Sequence, residues 1–200
     1  MSNYKTKLNK SIAAKPSPIE ESVAQALFEV ESSVAELKDA LKHVTVANVR
    51  EIETTVKGKK KNVIIVYVPF PVLRLVQRVI SKLIPELEKR LKTTVLIVGK
   101  RTIQSKWIKS HRSQMRPRNR ALTAVYDAVL EDLCQPAGII GRRIRHKLDG
   151  SVIQKVFLDQ NEEAAVKDKV ESITAVYKRL TTRDIQIEFK PEWHFYTLKK

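Results

Sequence analysis

A pair of short apolar runs flanking a segment with helical periodicity constrains the fold of this sequence more than any other feature. The runs are "VIIVYV" at residues 63–68 and "TTVLIVG" at residues 93–99, and both have the composition of buried strands. Between them, apolar side chains recur at helical spacing at Leu73, Val76, Val79, Ile80, Leu83, Leu87 and Leu91. A strand, a helix and a strand with this spacing predict a crossover connection, so part of the sheet is expected to be parallel.

A second helical pattern precedes these runs. Ser17 can cap the helix, Pro18 suits its first turn, and Glu20 completes a capping box. Apolar residues then follow in steps of three and four, at Ile19, Val23, Leu27, Val30, Val34, Leu37, Leu41 and Val44. Such a continuous stripe is typical of a helix packed on its own sheet, which we favour, and also of a helix that binds a partner.

The other periodic segments complete an α/β pattern. "VTVANVREIETTV" predicts a strand, "ALTAVYDAVLEDL" predicts a helix, and Asp149-Gly150 indicates a hairpin turn. Near the end, a further helix and an alternating strand, "DIQIEF", follow one another. We therefore predict one mixed α/β domain, with a β-sheet packed by about four helices, a β-hairpin and a basic excursion.

The predicted organisation has three parts. Residues 1–15 form a basic, flexible N-terminal tail, residues 16–190 form the α/β domain with its basic excursion at residues 100–120, and residues 191–200 form an aromatic C-terminal tail. The sequence has neither a transmembrane run nor the apolar core of a secretory signal, and Cys134 is its only cysteine. We expect a soluble, intracellular protein without a membrane partner.

The hairpin prediction also assigns its two faces. A two-residue turn at Asp149-Gly150 would pair Leu148 with Ser151, and His146 with Ile153. One face would then carry Ile144, His146, Leu148, Ile153 and Phe157, and the other Arg143, Arg145 and Lys147. Cations at alternate strand positions lie about 6.5–7 Å apart, which is comparable with the separation of consecutive phosphates on one nucleic-acid strand.

The charge of the chain is concentrated in one region. The net charge is +16, and residues 100–147 contribute +9 of it, whereas residues 148–200 are neutral overall. Residues 100–120 alone hold eight cations and no acidic residue. Because like charges this close repel each other, the segment is expected to meet a polyanion, and a nucleic acid is the polyanion that such separation of charge indicates.

The candidate RNA-binding residues are the cations of the excursion and the hairpin, with one indole among them. Trp107 can stack on an unpaired base or pack on nearby apolar surface, and the sequence leaves both open. The sequence contains no motif that reads bases, so contact with the backbone and shape of structured RNA is predicted. The candidates are Lys100, Arg101, Lys106, Trp107, Lys109, Arg112, Arg116, Arg118, Arg120, Arg142, Arg143, Arg145 and Lys147.

Catalytic assemblies are missing from the sequence. Asp127 and Glu131 lie four apart on a predicted helix and support a metal-dependent nuclease only as a third hypothesis, since such pairs are ordinary on helix surfaces. No two histidines have ligand spacing, and Cys134 is expected to be a buried structural thiol. We predict no catalytic residue, no metal site, no cofactor and no small-molecule substrate.

Several segments resemble the eukaryote-specific family of small-subunit ribosomal protein seven, which is distinct from the bacterial protein of that number. They are "SPIEESVAQAL", "VIIVYVPFP", "RPRNRALTAVYDAVLEDL", "RRIRHKLDGS" and "VYKRLTTRDIQIEF", in order from Ser17 to Phe189. The resemblance implies a structural, non-catalytic protein that contacts ribosomal RNA, neighbouring small-subunit proteins and assembly factors, in the cytoplasm and, during assembly, in the nucleolus. The alternative is a stand-alone RNA- or DNA-binding regulator with the same basic surface.

Overall fold

The crossover predicted for residues 63–99 is confirmed in the computed structural model, which describes residues 4–9, 16–56, 59–105, 115 and 117–190. Strands β2 (Lys59–Val68) and β3 (Thr94–Gly99) pair in parallel, with Val63 opposite Thr94, and α3 (Phe70–Leu91) connects them. Pro85 lies within α3 without ending it. The mixed α/β class is therefore confirmed. The chain divides into two compact units, Met1–Leu133 and Cys134–Lys200.

The first unit is built on a three-stranded sheet in the order β1-β2-β3, in which β1 (Asn48–Val56) runs antiparallel to β2. The apolar faces of α1 (Pro18–Ser33), α2 (Ala35–Lys42) and α3 share one core with this sheet. Val23, Val30, Leu41 and Val95 are among its buried members. The apolar stripe of the first helix thus packs in the core of its own unit, which is the alternative favoured from the sequence.

The predicted first helix is interrupted at Val34, whose backbone is extended (φ −112°, ψ 105°) and separates α1 from α2. The hydroxyl groups of Ser32 and Ser33 donate to the carbonyl oxygens of Glu29 and Val30. Serine side chains that bond the backbone in this way weaken a helix, and a β-branched valine continues it poorly. The apolar stripe carries across the break because Leu37 and Leu41 remain buried.

Part of the segment predicted as an N-terminal tail packs on the first unit. Tyr4–Lys7 form a 3₁₀ turn, and Leu8 bridges Val46 in parallel. The buried ammonium group of Lys7 donates to the Leu41 carbonyl oxygen at 2.6 Å and pairs with Glu31 at 2.6 Å. It thereby satisfies a carbonyl at the C-terminal end of α2. The domain limits drawn at residues 15 and 190 stay predictions, and residues 191–200 lie outside the described residues.

The second unit repeats the connectivity of the first, with an antiparallel hairpin followed by a helical crossover to a parallel strand. Its sheet has the order β4-β5-β6, formed by β4 (Ile139–His146), β5 (Val152–Asp159) and β6 (Asp184–Lys190). The short α5 (Glu163–Val166) and the longer α6 (Val170–Thr181) lie in the crossover. Val156, Leu158, Ile173, Val176 and Tyr177 are buried.

Candidate nucleic-acid interface

The basic excursion leaves the sheet at the end of β3 and returns before α4 (Leu122–Cys134). The Lys100 N–H donates to the Val68 carbonyl oxygen at 2.8 Å, so this residue continues the edge of the sheet. On the return, Arg118–Arg120 form a 3₁₀ turn, and the Gln104 N–H donates to the Arg120 carbonyl oxygen at 3.1 Å. The two ends of the excursion therefore meet. We call its exposed cations, Lys100, Arg118 and Arg120, the excursion base.

Arg101 belongs to the interior of the first unit. Its guanidinium group makes two hydrogen bonds to the carboxylate of Asp132, one of them from Nη2 to Oδ1 at 3.2 Å, and its side chain is 15% exposed. The same carboxylate accepts the Gly99 N–H at 2.9 Å. Arg101 thus connects the start of the excursion to α4, and its charge is largely matched inside the fold.

Five candidates predicted from the sequence lie outside the described residues. They are Lys106, Trp107, Lys109, Arg112 and Arg116. Their contacts with RNA stay predictions.

The hairpin is present, but its predicted register is wrong by one residue. His146 lies opposite Val152, Arg145 opposite Ile153, and Arg143 opposite Lys155. The loop is formed by the three residues 148–150, because the Lys147 N–H donates to the Ser151 carbonyl oxygen at 2.9 Å and the Gly150 N–H to the Lys147 carbonyl oxygen at 3.1 Å. Gly150 has φ +76°, the left-handed conformation with which a glycine closes a three-residue hairpin loop.

The corrected register changes the composition of both faces. Side chains alternate across a strand, so a shift of one residue moves a whole strand to the opposite face. Ile153 and Phe157 were predicted beside Ile144 and His146, yet they share the face of Arg143 and Arg145. Lys155 lies on that face too. We call Arg143, Arg145 and Lys155 the basic hairpin face.

The remaining hairpin candidates occupy different positions. Lys147 follows the end of β4 and lines a groove of about 470 Å³ together with Arg145 and Lys155. Arg142 lies opposite Val156, on the other face of the ribbon from Arg143. The groove therefore brings together two of the sequence-predicted cations and one that was not predicted.

The basic hairpin face contains an acid of its own, Glu188 on β6. Lys155 Nζ donates to Glu188 Oε1 at 2.5 Å. This hydrogen bond lowers the pKa of Glu188, and the charges of Lys155, Lys190 and Arg145 act in the same direction. Beside it, the Lys190 ammonium group lies 3.9 Å from the centroid of the Phe157 ring, in cation–π contact. The face is thus mostly positive, with one carboxylate that stays ionised to lower pH than usual.

Replacing Glu188 by glutamine is expected to tighten RNA binding about two- to fivefold at neutral pH and low salt, because one repelling charge leaves the basic hairpin face. Fluorescence anisotropy with a labelled RNA hairpin measures it. The exposed Glu162, changed to glutamine, is the control in the same unit. The gain should vanish as pH falls through the lowered pKa of Glu188, where the wild type also becomes neutral. Equal affinities of E188Q and wild type at neutral pH would contradict the assignment.

The nuclease hypothesis depends on two acids of α4. Asp127 and Glu131 lie four apart on α4 as predicted, but within the described ranges no group of three or more His, Cys, Asp or Glu side chains is placed to hold a metal ion. Cys134 is buried, as expected. Of the helices in the described part of the chain, none combines the length and apolarity needed to cross a bilayer.

Three residues that frame these surfaces were not identified from the sequence. Asp132 fixes Arg101 over a separation of 31 residues, and Lys155 joins the arginines only through the strand register. Phe70 has a ring that is 58% exposed and lies 6.0 Å from the guanidinium carbon of Arg101. The available signals were indirect: one of three acids in a helical segment, a lysine in a strand, and a phenylalanine between two prolines.

Comparison with known proteins gives one consistent result. The family model described as "Ribosomal protein S7e" matches residues 7–189. Small ribosomal subunit protein eS7 of Drosophila yakuba is 45% identical over 188 residues, which cover 92% of this chain and 94% of the relative. The protein of the same name from Spodoptera frugiperda is 43% identical over 190 residues, with coverage of 92% and 96%. Small ribosomal subunit protein eS7z of Arabidopsis thaliana is 38% identical over 185 residues, with coverage of 92% and 94%.

Proposed function

The chain belongs to the ribosomal protein S7e family, and we propose that it binds the RNA of the small ribosomal subunit through the excursion base and the basic hairpin face. As a member of this family it is a structural constituent of that subunit. The proposed mechanism is neutralisation of backbone phosphates by fixed cations, with RNA shape and not base sequence deciding the fit.

The observation that supports this proposal most directly is a set of exposed cations in residues 100–147, the segment with the highest positive charge, that have no acidic partner among the described residues. Several basic side chains of the first unit do pair with acids, as Arg90 does with Glu86 and Lys82 with Glu36. Within the described residues, the exposed Arg118, Arg120 and Arg143 take part in no such ion pair. Exposed cations that a fold leaves unpaired are suited to an anionic partner.

The proposal also covers the partners, the location and the non-catalytic role of the protein in the cell. We propose that it contacts neighbouring small-subunit proteins and assembly factors, that it enters the subunit in the nucleolus and works in the cytoplasm, and that it catalyses no reaction. Its membership of a structural ribosomal family and the concentration of positive charge in residues 100–147 support these statements.

RNA affinity is expected to fall linearly with salt concentration on a double-logarithmic plot, because each neutralised phosphate releases counterions. If about six phosphates are contacted, the association constant should drop roughly a thousandfold between about 50 and 200 mM salt. Filter binding of a structured RNA across a salt series measures this slope. Binding that is as tight at high salt as at low salt would refute charge neutralisation as the mechanism.

A further inference from the structure

The first unit contains a pocket of about 490 Å³ at the N-terminal end of α3, beside the ends of the basic excursion. Its wall combines one aromatic ring, three cationic side chains and one amide, and one threonine and two alanines complete it. The volume lies within the range of sites that hold small organic groups. The charge-based mechanism makes no use of the apolar part of this pocket.

Phe70 supplies the aromatic wall. It is the first residue of α3, directly after Pro69, and its ring is 58% exposed. The guanidinium carbon of Arg101 lies 6.0 Å from the ring centroid. A large ring left open to water beside positive charge is a ready stacking surface for a flat group that carries negative charge.

The cationic wall is held in place by the fold. Arg101 is fixed by its hydrogen bonds to Asp132, while the backbone amide of Lys100 is bonded to Val68 and the carbonyl of Arg120 to Gln104. The side chains of Lys100 and Arg120 remain exposed. Two free cations therefore lie on a fixed backbone next to the Phe70 ring, with the amide of Asn119 between the same segments.

Small residues keep the pocket open. Ala124 and Ala128 line it from α4 and lie one helical turn apart, so neither fills the space with a long side chain. Gly99 directly precedes the lining residue Lys100, and a Cβ added to it would approach Leu73 Cδ2 to 2.7 Å and Arg101 Nη1 to 3.0 Å. A larger residue there would push the Leu73 side chain aside and crowd the Arg101 guanidinium group.

We propose that this pocket binds one unpaired nucleotide of RNA, with its base stacked on Phe70 and its phosphate held by Lys100 and Arg120. A nucleotide joins a flat ring to an adjacent phosphate, as the pocket joins an aromatic wall to a cationic one. Asn119 can pair with a base edge through its amide. This inference rests on the proposed RNA-binding function and adds a base-sensitive contact to it.

The test compares two RNA hairpins that differ at one bulged position, which holds either a purine or an abasic sugar. Wild-type protein should bind the purine form about tenfold more tightly, since stacking of one base on an aromatic side chain is worth roughly that ratio. Phe70→Leu should abolish the preference and Phe70→Trp should keep it. Ile103→Ala, which removes another exposed apolar side chain of the excursion outside the pocket lining, is the matched control and should keep the preference too.

The outcomes separate the two proposals. Equal binding of both hairpins by the wild type, with a normal salt slope, would overturn the nucleotide pocket and leave the RNA-binding function intact. Failure to bind either hairpin would overturn that function and the pocket with it. The last outcome concerns competition by free purine nucleoside monophosphate. If a low concentration of it abolished the preference for the purine hairpin, the occupant of the pocket would be a free nucleotide, and the assignment to RNA would be contradicted.

A photocrosslinking amino acid in place of Phe70 tests the pocket in assembled small subunits. A crosslink to ribosomal RNA supports the proposal. A crosslink to a neighbouring ribosomal protein would show that a protein side chain fills the pocket, and the proposal would be wrong.

Discussion

Replacing Asp132 by alanine is expected to lower the free energy of unfolding by about 3 kcal/mol. The residue is 4% exposed, and its carboxylate accepts the Gly99 N–H and the guanidinium group of Arg101. Without it, Arg101 would keep its charge in a position where its side chain is only 15% exposed, and the Gly99 amide would lose its partner. Both consequences carry the cost of an unsatisfied buried group.

Chemical denaturation followed by circular dichroism measures this loss. Glu131→Ala is the matched control, because it removes an exposed acid from the neighbouring position of the same helix and should cost at most about 1 kcal/mol, the upper value for an exposed ion pair. Asp132→Asn should fall between the two, since an amide oxygen can still accept one bond but carries no charge. A D132A protein as stable as the wild type would show that the Arg101 contact does not hold the excursion to α4.

The elements with local signals were predictable from the sequence. The crossover between β2 and β3 follows from two apolar runs and an intervening helical stripe, and all three patterns depend only on side-chain periodicity. The capping box at Ser17 was also predictable, because its partner Glu20 is only three residues away in the sequence. The break at Val34 was missed, because an unbroken apolar stripe conceals a change in the backbone.

The hairpin register was not predictable from the turn residues alone. Gly150 suits both a two-residue loop after Asp149 and a three-residue loop in which it adopts a positive φ. The choice between them decides whether Lys155 or Gln154 joins the arginines. The buried position of Gln154, at 5% exposure beside Val156, belongs to the tertiary structure and has no counterpart in the local sequence.

The candidate site, too, has features that the sequence predicts and features that depend on the tertiary structure. Its charge could be predicted because concentration of cations in residues 100–147 is a property of composition. The engagement of Arg101 by Asp132 could not, since the two residues are 31 positions apart and no periodic pattern connects them. The Phe70 pocket likewise depends on side chains from α3, α4 and both ends of the excursion.

Replacing both Arg143 and Arg145 by glutamine is expected to weaken RNA binding roughly 30-fold at low salt and to reduce the salt slope by about two. The two side chains are exposed on one face of β4, and each can hold a phosphate through two hydrogen bonds. Glutamine keeps much of the length but not the charge. Because neither side chain is buried, the double variant should fold normally, which circular dichroism checks.

The matched control is the double variant Lys167→Gln and Lys178→Gln, which removes the same charge from the same unit. These lysines are exposed on the helical crossover and already pair with Glu163 and Asp184. Each lysine would therefore have to break its ion pair before it could bind a phosphate. If RNA binding depended only on net charge, both double variants would lose equal affinity. A loss confined to the arginine pair, together with the smaller slope, would locate the contact on the basic hairpin face, whereas equal losses would contradict it.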